Sequence, residues 1–184
     1  MSSRIFLFAM LLVLTGCAGG NYRPVSDDAV RIGAPYRVRG VTYTPASDPR
    51  YDMLGLASWY GSESGRRTAN GERFRPGWVT AAHTTLPLPS YVEVTALDTG
   101  RRILVRVNDR GPFTGRGRIL DLSQGAAEAL GARGRGVVPV RVRVVSPGER
   151  DRARLRKGKA ARELLPVDER TRANLQAQLR ASGL

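Results

Sequence analysis

Residues 91–107 read YVEVTALDTGRRILVRV and form the clearest strand-turn-strand pattern in the chain. Residues 92–97 alternate apolar and polar side chains, as a half-buried strand does. Asp98, Thr99 and Gly100 then supply a short turn, and residues 101–107 form a matching second strand. The sequence therefore predicts a β-hairpin over residues 91–107.

Further short elements are predicted on both sides of this hairpin. Residues 56–60 and 119–122 are runs of strand length. Ser123 is a suitable N-cap for a helix that ends at Gly131. Residues 137–145 place valines on one face and arginines on the other, which predicts a half-buried strand at the edge of a barrel. Several short strands with one short helix indicate a compact, mainly β barrel.

The composition is that of a folded, strongly basic protein. The chain has 184 residues, of which 41% are hydrophobic and 25% charged, so it is long enough for about one domain and too apolar for general disorder. Its 30 Lys and Arg residues against 16 Asp and Glu residues give a formal charge of +14. This excess favours an anionic partner, namely nucleic acid, anionic lipid or a polymer that carries carboxylates, such as cell wall.

The start of the chain has the pattern of an export signal. A short basic region is followed by residues 5–14, which carry no charge and are too few to span a bilayer. Residues 14–17 (LTGC) resemble the lipobox of bacterial lipoproteins. We therefore expect residues 1–16 to be a lipoprotein signal peptide and Cys17 to carry the lipid. The alternative is an incidental thiol beside a cleavage site.

Cys17 is the only cysteine, which excludes a disulfide within the chain and a cysteine-based metal cluster. The residue after Cys17 is Ala18 and not an aspartate, which resembles the sorting pattern for the outer membrane of Gram-negative cells. We expect an anchor in the inner leaflet of the outer membrane, facing the periplasm. Export also argues against nucleic acid as the partner, and the sequence leaves the oligomeric state open.

Composition divides the remainder into three segments. Residues 17–52 are rich in Gly, Pro, Tyr and Arg without a sustained period and are interpreted as a lipid-anchored tether and extended lead-in. Residues 53–146 hold the predicted barrel. Residues 147–184 form a basic tail in which Leu175 and Leu179 give a faint helical stripe. We expect this tail to be a solvated, partly helical appendage, with contact to an anionic surface as the alternative.

Three polar clusters lie in predicted loops or at strand ends, at residues 66–72, 80–83 and 108–112. Each has a structural interpretation besides a functional one. Glu72 follows Asn70 and Gly71 and is typical of a solvated turn, whereas Asp109 is typical of an aspartate that bonds to its own turn. His83 is the only histidine, so with no available thiol we expect neither a metal site nor a cofactor.

Taken together, several motifs resemble the rare lipoprotein A (RlpA) family. They are residues 56–61 (LASWYG), 68–74 (TANGERF), 80–89 (TAAHTTLPLP), 105–113 (VRVNDRGPF) and 118–123 (RILDLS). The segment 33–45 is also similar to the one that precedes the domain in this family. The resemblance covers residues 31–145 approximately.

The resemblance implies a six-stranded double-psi β-barrel with one or two short helices and flexible terminal segments. It implies an endolytic lytic transglycosylase that cleaves the MurNAc-GlcNAc strands of peptidoglycan, with peptide-poor strands preferred, to 1,6-anhydro-MurNAc products. Asp109 matches the family's proposed acid/base. Glu72 and His83 match residues that support catalysis or shape the site.

A groove for the glycan is expected around these three residues. Arginines suit the lactyl carboxylates, aromatic rings stack on sugars and neutral groups bond to hydroxyls. The residues predicted to bind substrate are Arg66, Arg67, Thr68, Asn70, Asn108, Arg110, Trp59 and Tyr60. For Trp59 the alternative is core packing.

Two features depart from the family pattern, and other functions stay open. The loop after Gly61 is shorter than in many relatives, and the 38-residue tail is too short and too charged for a glycan-binding SPOR domain. The main alternative is an expansin-like envelope lipoprotein that binds peptidoglycan without cleaving it. A hydrolase that uses Asp109 and Glu72 as a carboxylate pair and a purely structural lipoprotein are the others.

Overall fold

The computed structural model describes residues 22–184, so the predicted signal peptide and Cys17 lie outside the described residues. The strands are β1 (Tyr36–Val38), β2 (Val41–Tyr43), β3 (Asp52–Tyr60), β4 (Thr80–Ala82), β5 (Ser90–Ala96), β6 (Arg102–Asp109), β7 (Arg118–Ser123) and β8 (Val138–Val144). The α-helices are α1 (Gln124–Leu130), α2 (Glu149–Arg156) and α3 (Glu169–Ala181).

Six strands close into a barrel in the order β3-β7-β4-β6-β5-β8. β3 pairs with β7 and β4 pairs with β6 in parallel, while the other neighbours are antiparallel. Parallel pairing brings the carboxyl ends of two strands to the same edge. The carboxyl ends of β3 and β7 meet where Tyr60 pairs with Ser123, and those of β4 and β6 meet where Ala82 pairs with Asp109. Because β4 and β7 are antiparallel, these two pairs of ends lie at opposite edges of the sheet.

The hairpin predicted from residues 91–107 is present as β5 and β6. Val92 pairs with Val105 and Val94 with Ile103, and the two valines of β5 are fully buried in the barrel. The helix after β7 also follows its sequence signals. Ser123 Oγ accepts a hydrogen bond from the Ala126 N–H, 3.1 Å away, and Gly131 ends the helix with φ of 76°.

Strand β4 was not predicted as a strand. Its three residues, Thr80, Ala81 and Ala82, are all buried between β7 and β6. A strand buried on both faces shows no alternation of apolar and polar residues, and three residues are too few for a period. Its position in the barrel is therefore set by its neighbours.

β8 has the predicted alternation but not the predicted edge position. Val138, Val140 and Val142 are buried, while Arg141 pairs with Asp52 on the outside. The strand lies between β5 and β3 in the closed barrel. The expected edge was wrong because closure pairs both sides of every strand.

The tail is partly helical, as predicted, but it packs on the barrel, so the expectation of a solvated appendage was wrong. Leu155 of α2 is fully buried in the main core. Leu175 and Leu179 of α3 form a second cluster with Leu97. A few leucines at helical spacing are enough to dock short basic helices, but so few leucines give only a weak amphipathic pattern in the sequence.

The described residues contain three α-helices where one or two were expected, and none of these is long and apolar enough to cross a membrane.

The lead-in is also attached to the barrel. β1 and β2 form a small hairpin, and the backbones of Arg31 and Leu88 exchange two hydrogen bonds of 2.8 Å. Further upstream, the Arg23 N–H donates to the Gly71 carbonyl at 2.8 Å. From residue 22 onward this segment lies along the barrel and is not a free tether.

Replacing Leu155 by alanine tests the docking of the tail. The change empties a buried site and is expected to lower the free energy of unfolding by about 2 to 5 kcal/mol, as measured by urea denaturation. Leu165→Ala is the matched control, because Leu165 is 83% exposed. Equal effects of the two substitutions would contradict the packing described for α2.

Candidate active site

Asp109 is the last residue of β6, and its carboxylate is held by the backbone. Its Oδ1 accepts hydrogen bonds from the N–H groups of Ala69 and Arg110, each 2.8 Å away. Burial raises the pKa of this carboxyl above its usual value, although both hydrogen bonds and the charge of Arg110 oppose that shift. Asp109 therefore combines a fixed orientation with a raised pKa, the property required of a general acid.

Glu72 is buried in an ion pair below this position. Only 1% of its side chain is exposed, and Arg106, equally buried, donates one hydrogen bond of 2.8 Å to each carboxylate oxygen. The amides of Asn70 and Asn108 donate a second bond to each oxygen, at 2.9 and 2.8 Å. Among the described residues, every hydrogen bond to the Glu72 carboxylate thus comes from a side chain that the carboxylate holds in place.

This ion pair fixes the loop that contacts Asp109. Asn70 and Asn108, which both bind Glu72, are also joined by their backbones, with the Asn70 N–H donating to the Asn108 carbonyl at 3.1 Å. Ala69 precedes Asn70, and Asp109 follows Asn108. The bond between the Ala69 N–H and Asp109 is therefore braced from both sides by Glu72.

His83 follows β4 and is 2% exposed. Its Nδ1 accepts hydrogen bonds from the N–H groups of Thr85 at 3.1 Å and Leu86 at 3.0 Å, so the proton resides on Nε2. Burial, assisted by the charge of Arg110, lowers the pKa of His83 to about 4. The imidazole is neutral at neutral pH and organises the turn that follows it.

The structure brings Asp109, Glu72 and His83 to one end of β6. Glu72 reaches Asp109 through Asn108, and the His83 N–H donates to the Asp109 carbonyl at 3.1 Å. The three differ in their surroundings: both carboxylate oxygens of Glu72 accept hydrogen bonds from described residues, whereas Asp109 accepts them at Oδ1 alone, and His83 at Nδ1. No group of three possible metal-ligating side chains occurs among residues 22–184.

Arg110 is committed to protein contacts. Its guanidinium donates to the carbonyls of His83 at 3.2 Å, Leu86 at 2.6 Å and Ile32 at 3.1 Å. It therefore joins the lead-in to the turn after His83. Arg66 and Arg67, by contrast, are exposed on the loop after β3.

The neutral residues predicted to bind substrate lie beneath the surface. Thr68, Asn70 and Asn108 are each 3% exposed. Thr68 Oγ1 bonds to the backbone of Glu72, and both asparagines bind the Glu72 carboxylate. Sequence reasoning treats polar loop residues as exposed, whereas these satisfy a buried charge. Asn108 Oδ1 is buried without a partner in the described part of the chain.

The two aromatic residues at the end of β3 are partly buried. Trp59 packs against the core, and its Nε1 donates to the Arg133 carbonyl at 3.0 Å. Tyr60 stacks on Phe74 with ring centroids 4.9 Å apart. The Tyr60 hydroxyl is buried and receives no hydrogen bond from residues 22–184. Burial, followed by the charges of Asp109 and Asp121, raises the pKa of Tyr60 well above its usual value.

Asp121 is a further acidic residue at this end that the sequence analysis did not select. Ala82 pairs with Asp109 on one side and with Asp121 on the other. Asp121 accepts hydrogen bonds from Ser58 at 2.7 Å and from Arg118 at 2.6 and 2.7 Å. A side chain on Gly111 would come within 3.6 Å of Asp121 Oδ2. An aspartate inside the apolar run of β7 was the available signal, since strands rarely contain one.

Replacing His83 by asparagine tests its neutral state. His83 has a lower pKa in the folded protein than its ordinary 6.5, so the folded protein takes up the proton less readily than the unfolded chain. The wild type should therefore lose stability as pH falls from about 6.5 to about 4, by at most about 1.4 kcal/mol per pH unit from this group. His83→Asn removes this contribution, and urea denaturation across that range should show a flatter profile. Parallel profiles would contradict a neutral, buried His83.

Replacing Arg106 by methionine tests the buried ion pair. The change leaves the Glu72 carboxylate without its counter-charge and is expected to cost about 3 to 5 kcal/mol of stability, as measured by chemical denaturation. Arg141→Met is the control, because Arg141 pairs with Asp52 in a half-exposed setting where ion pairs contribute about 0 to 1 kcal/mol. Similar losses in both variants would show that Glu72 does not depend on Arg106.

Comparison with known proteins identifies the family. The family model described as lytic transglycolase matches residues 52–142. The chain is 53% identical over 115 residues to the endolytic peptidoglycan transglycosylase RlpA of Pseudomonas aeruginosa, covering 61% of this chain and 33% of that protein. It is 36% identical over 160 residues to the protein of the same name from Rickettsia felis, covering 75% of this chain and 70% of that protein.

The protein of that name from Neisseria meningitidis serogroup A is 41% identical over 150 residues, with coverage of 76% of this chain and 62% of the relative. The chain thus spans about a third of the Pseudomonas relative and about two thirds of the other two. The closed six-stranded barrel agrees with the predicted fold. The chain belongs to the RlpA family and has its double-psi β-barrel fold.

Proposed function

We propose that this protein is an endolytic lytic transglycosylase that cleaves the MurNAc-GlcNAc strands of peptidoglycan, preferably peptide-poor strands, to 1,6-anhydro-MurNAc products. The observation that carries the proposal is the state of Asp109, a carboxyl with a raised pKa whose Oδ1 is held by two backbone N–H groups. The names of the relatives support it, because they are endolytic peptidoglycan transglycosylases.

Asp109 performs both proton transfers in this proposal. The protonated carboxyl donates its proton to the glycosidic oxygen, so the bond between that oxygen and C1 of MurNAc breaks and the GlcNAc hydroxyl leaves. The resulting carboxylate takes the proton of the C6 hydroxyl of the same MurNAc, and O6 bonds to C1. Asp109 ends protonated, as it began. The raised pKa favours the first step, and the N–H groups of Ala69 and Arg110 stabilise the anion between the steps.

The other residues near Asp109 have supporting roles. Both oxygens of the Glu72 carboxylate are bonded to Arg106, Asn70 and Asn108, so we assign to Glu72 the positioning of the loop beside Asp109. Neutral His83 holds the turn after β4. The positive charge that develops on the sugar ring favours a second carboxylate. Asp121, on the strand next to β4, is the candidate, and its charge is shared with Arg118.

Substrate contacts and cellular location belong to the same proposal. Arg66 and Arg67 are exposed near the site and suit the lactyl carboxylates of the glycan, since guanidinium groups bind carboxylates with two parallel hydrogen bonds. Lipid attachment at Cys17 and location at the inner leaflet of the outer membrane rest on the lipobox-like segment LTGC.

Asp109→Asn tests the assignment of the acid/base. The amide has no acidic proton to give, so release of anhydromuramyl products from amidase-treated sacculi should fall about 100- to 10,000-fold, as measured by mass spectrometry. Asp168→Asn is the control, because Asp168 caps α3 in the tail and asparagine caps equally well.

Three outcomes would contradict the proposal. Unchanged release by Asp109→Asn would reject Asp109 as the acid/base. Wild-type products that end in ordinary reducing MurNAc would indicate a hydrolase. Binding of wild-type protein to sacculi without any product would indicate a non-catalytic, expansin-like binding protein.

A further inference from the structure

A line of alternating charges runs from beneath the candidate site to the tail. Its first members are Glu72 and Arg106, which form an ion pair, and Arg106 Nε also donates to Asp27 Oδ1 at 3.3 Å. Asp27 Oδ2 accepts a hydrogen bond of 2.5 Å from Arg156, the last residue of α2, and Arg156 also pairs with Glu149 at the start of that helix. We call these five residues the charge line.

Asp27 is firmly held at the middle of the charge line. The Tyr91 hydroxyl donates to its two oxygens at 2.8 and 2.9 Å. Burial by itself raises the pKa of Asp27, but the hydrogen bonds from Tyr91, Arg156 and Arg106 outweigh it and lower the pKa below its ordinary value. Asp27 is therefore ionised at neutral pH and supplies a full negative charge between two arginines.

The lead-in around Asp27 contacts the same loop that contacts Asp109. Arg106 Nη2 donates to the Ser26 carbonyl at 2.7 Å. Arg23 donates to the Gly71 carbonyl from its backbone at 2.8 Å and to Asn70 Oδ1 from its side chain at 2.6 Å. Asn70 is thus bonded to the lead-in on one side and to Glu72 on the other.

Arg106 needs these outer partners because it is almost completely buried. Glu72 takes one hydrogen bond from each terminal nitrogen, and Ser26 and Asp27 take two of the remaining donors. A buried guanidinium with unsatisfied donors is costly, so the side chain shifts or admits water when a partner is lost. Such a shift moves Glu72, and with it the two asparagines beside Asp109.

Three members of the charge line, Asp27, Glu149 and Arg156, lie outside residues 52–142, the part that matches the family model. We infer that Asp27 and Arg156 are positioning residues for Asp109, through which the lead-in and helix α2 hold the Ala69 N–H on the Asp109 carboxylate. The expected effect of these two residues on kcat rests on the proposed function. Their expected effect on the position of the Ala69 N–H does not.

The test uses the full chain with the single substitutions Asp27→Asn and Arg156→Met. The N–H signals of Ala69 and Arg110 in ¹H–¹⁵N spectra report their hydrogen bonds to Asp109 whether or not the protein is active. Glycan cleavage gives kcat and KM in parallel. Arg150→Met is the matched control, because Arg150 is exposed on the same helix and the change removes the same charge. Arg156→Lys keeps the charge and tests rescue.

We expect both substitutions to shift the Ala69 and Arg110 signals and to lower kcat about tenfold, because small displacements of a reacting group are costly, with KM changed less than about twofold. Arg150→Met should match the wild type, and Arg156→Lys should recover most of the loss. If Arg156→Met does not fold, Asp27→Asn gives the reading, with Arg150→Met as its control.

Amide signals at their wild-type positions in Asp27→Asn and Arg156→Met would overturn the inference. So would unchanged kcat despite shifted signals, or equal effects of Arg150→Met. A wild-type protein that releases no anhydromuramyl product contradicts the proposed function alone, and the amide signals then decide the positioning role by themselves.

Discussion

The buried ion pair between Glu72 and Arg106 is the constraint on which the rest of this end of the barrel depends. Removing two charges from water costs several kcal/mol for each ion, and the attraction between them offsets this only when their remaining hydrogen bonds are made. Here they are made by Asn70, Asn108 and Asp27. The pair is therefore stable only when a loop, strand β6 and the lead-in are assembled together.

This requirement separates the residues that support the site from Asp109, the proposed acid/base. Glu72 and His83 are polar and buried, and the Glu72 carboxylate and His83 Nδ1 are bonded to protein groups, so their contribution is rigidity. Asp109 is oriented through one oxygen by two backbone N–H groups, and burial raises its pKa. When the charge of a reacting group changes, hydrogen-bond donors that are already fixed around it do not have to reorganise.

The segments outside the barrel are part of the same assembly. Helix α2 places Leu155 in the core and Arg156 on Asp27, so one short helix contributes both apolar burial and a charge. The lead-in fixes Asn70 through Arg23 and accepts a hydrogen bond from Arg106 at Ser26. The surroundings of Asp109 thus extend well beyond the barrel strands.

Local patterns in the sequence were sufficient for the β5 and β6 hairpin, the caps of α1, the alternation of β8 and the motif that contains Asp109. Each depends on neighbours a few residues apart, where period, turn and capping rules apply. Strand β4, the inward direction of Thr68 and Asn70, the docking of the tail and the place of Asp121 were decided by tertiary structure. The Glu72 and Arg106 pair joins residues 34 positions apart, and Asp27 and Arg156 are 129 apart. Such contacts form only once the barrel has closed and the lead-in and α2 have packed on it, because only then do these distant charges leave water and lie next to each other.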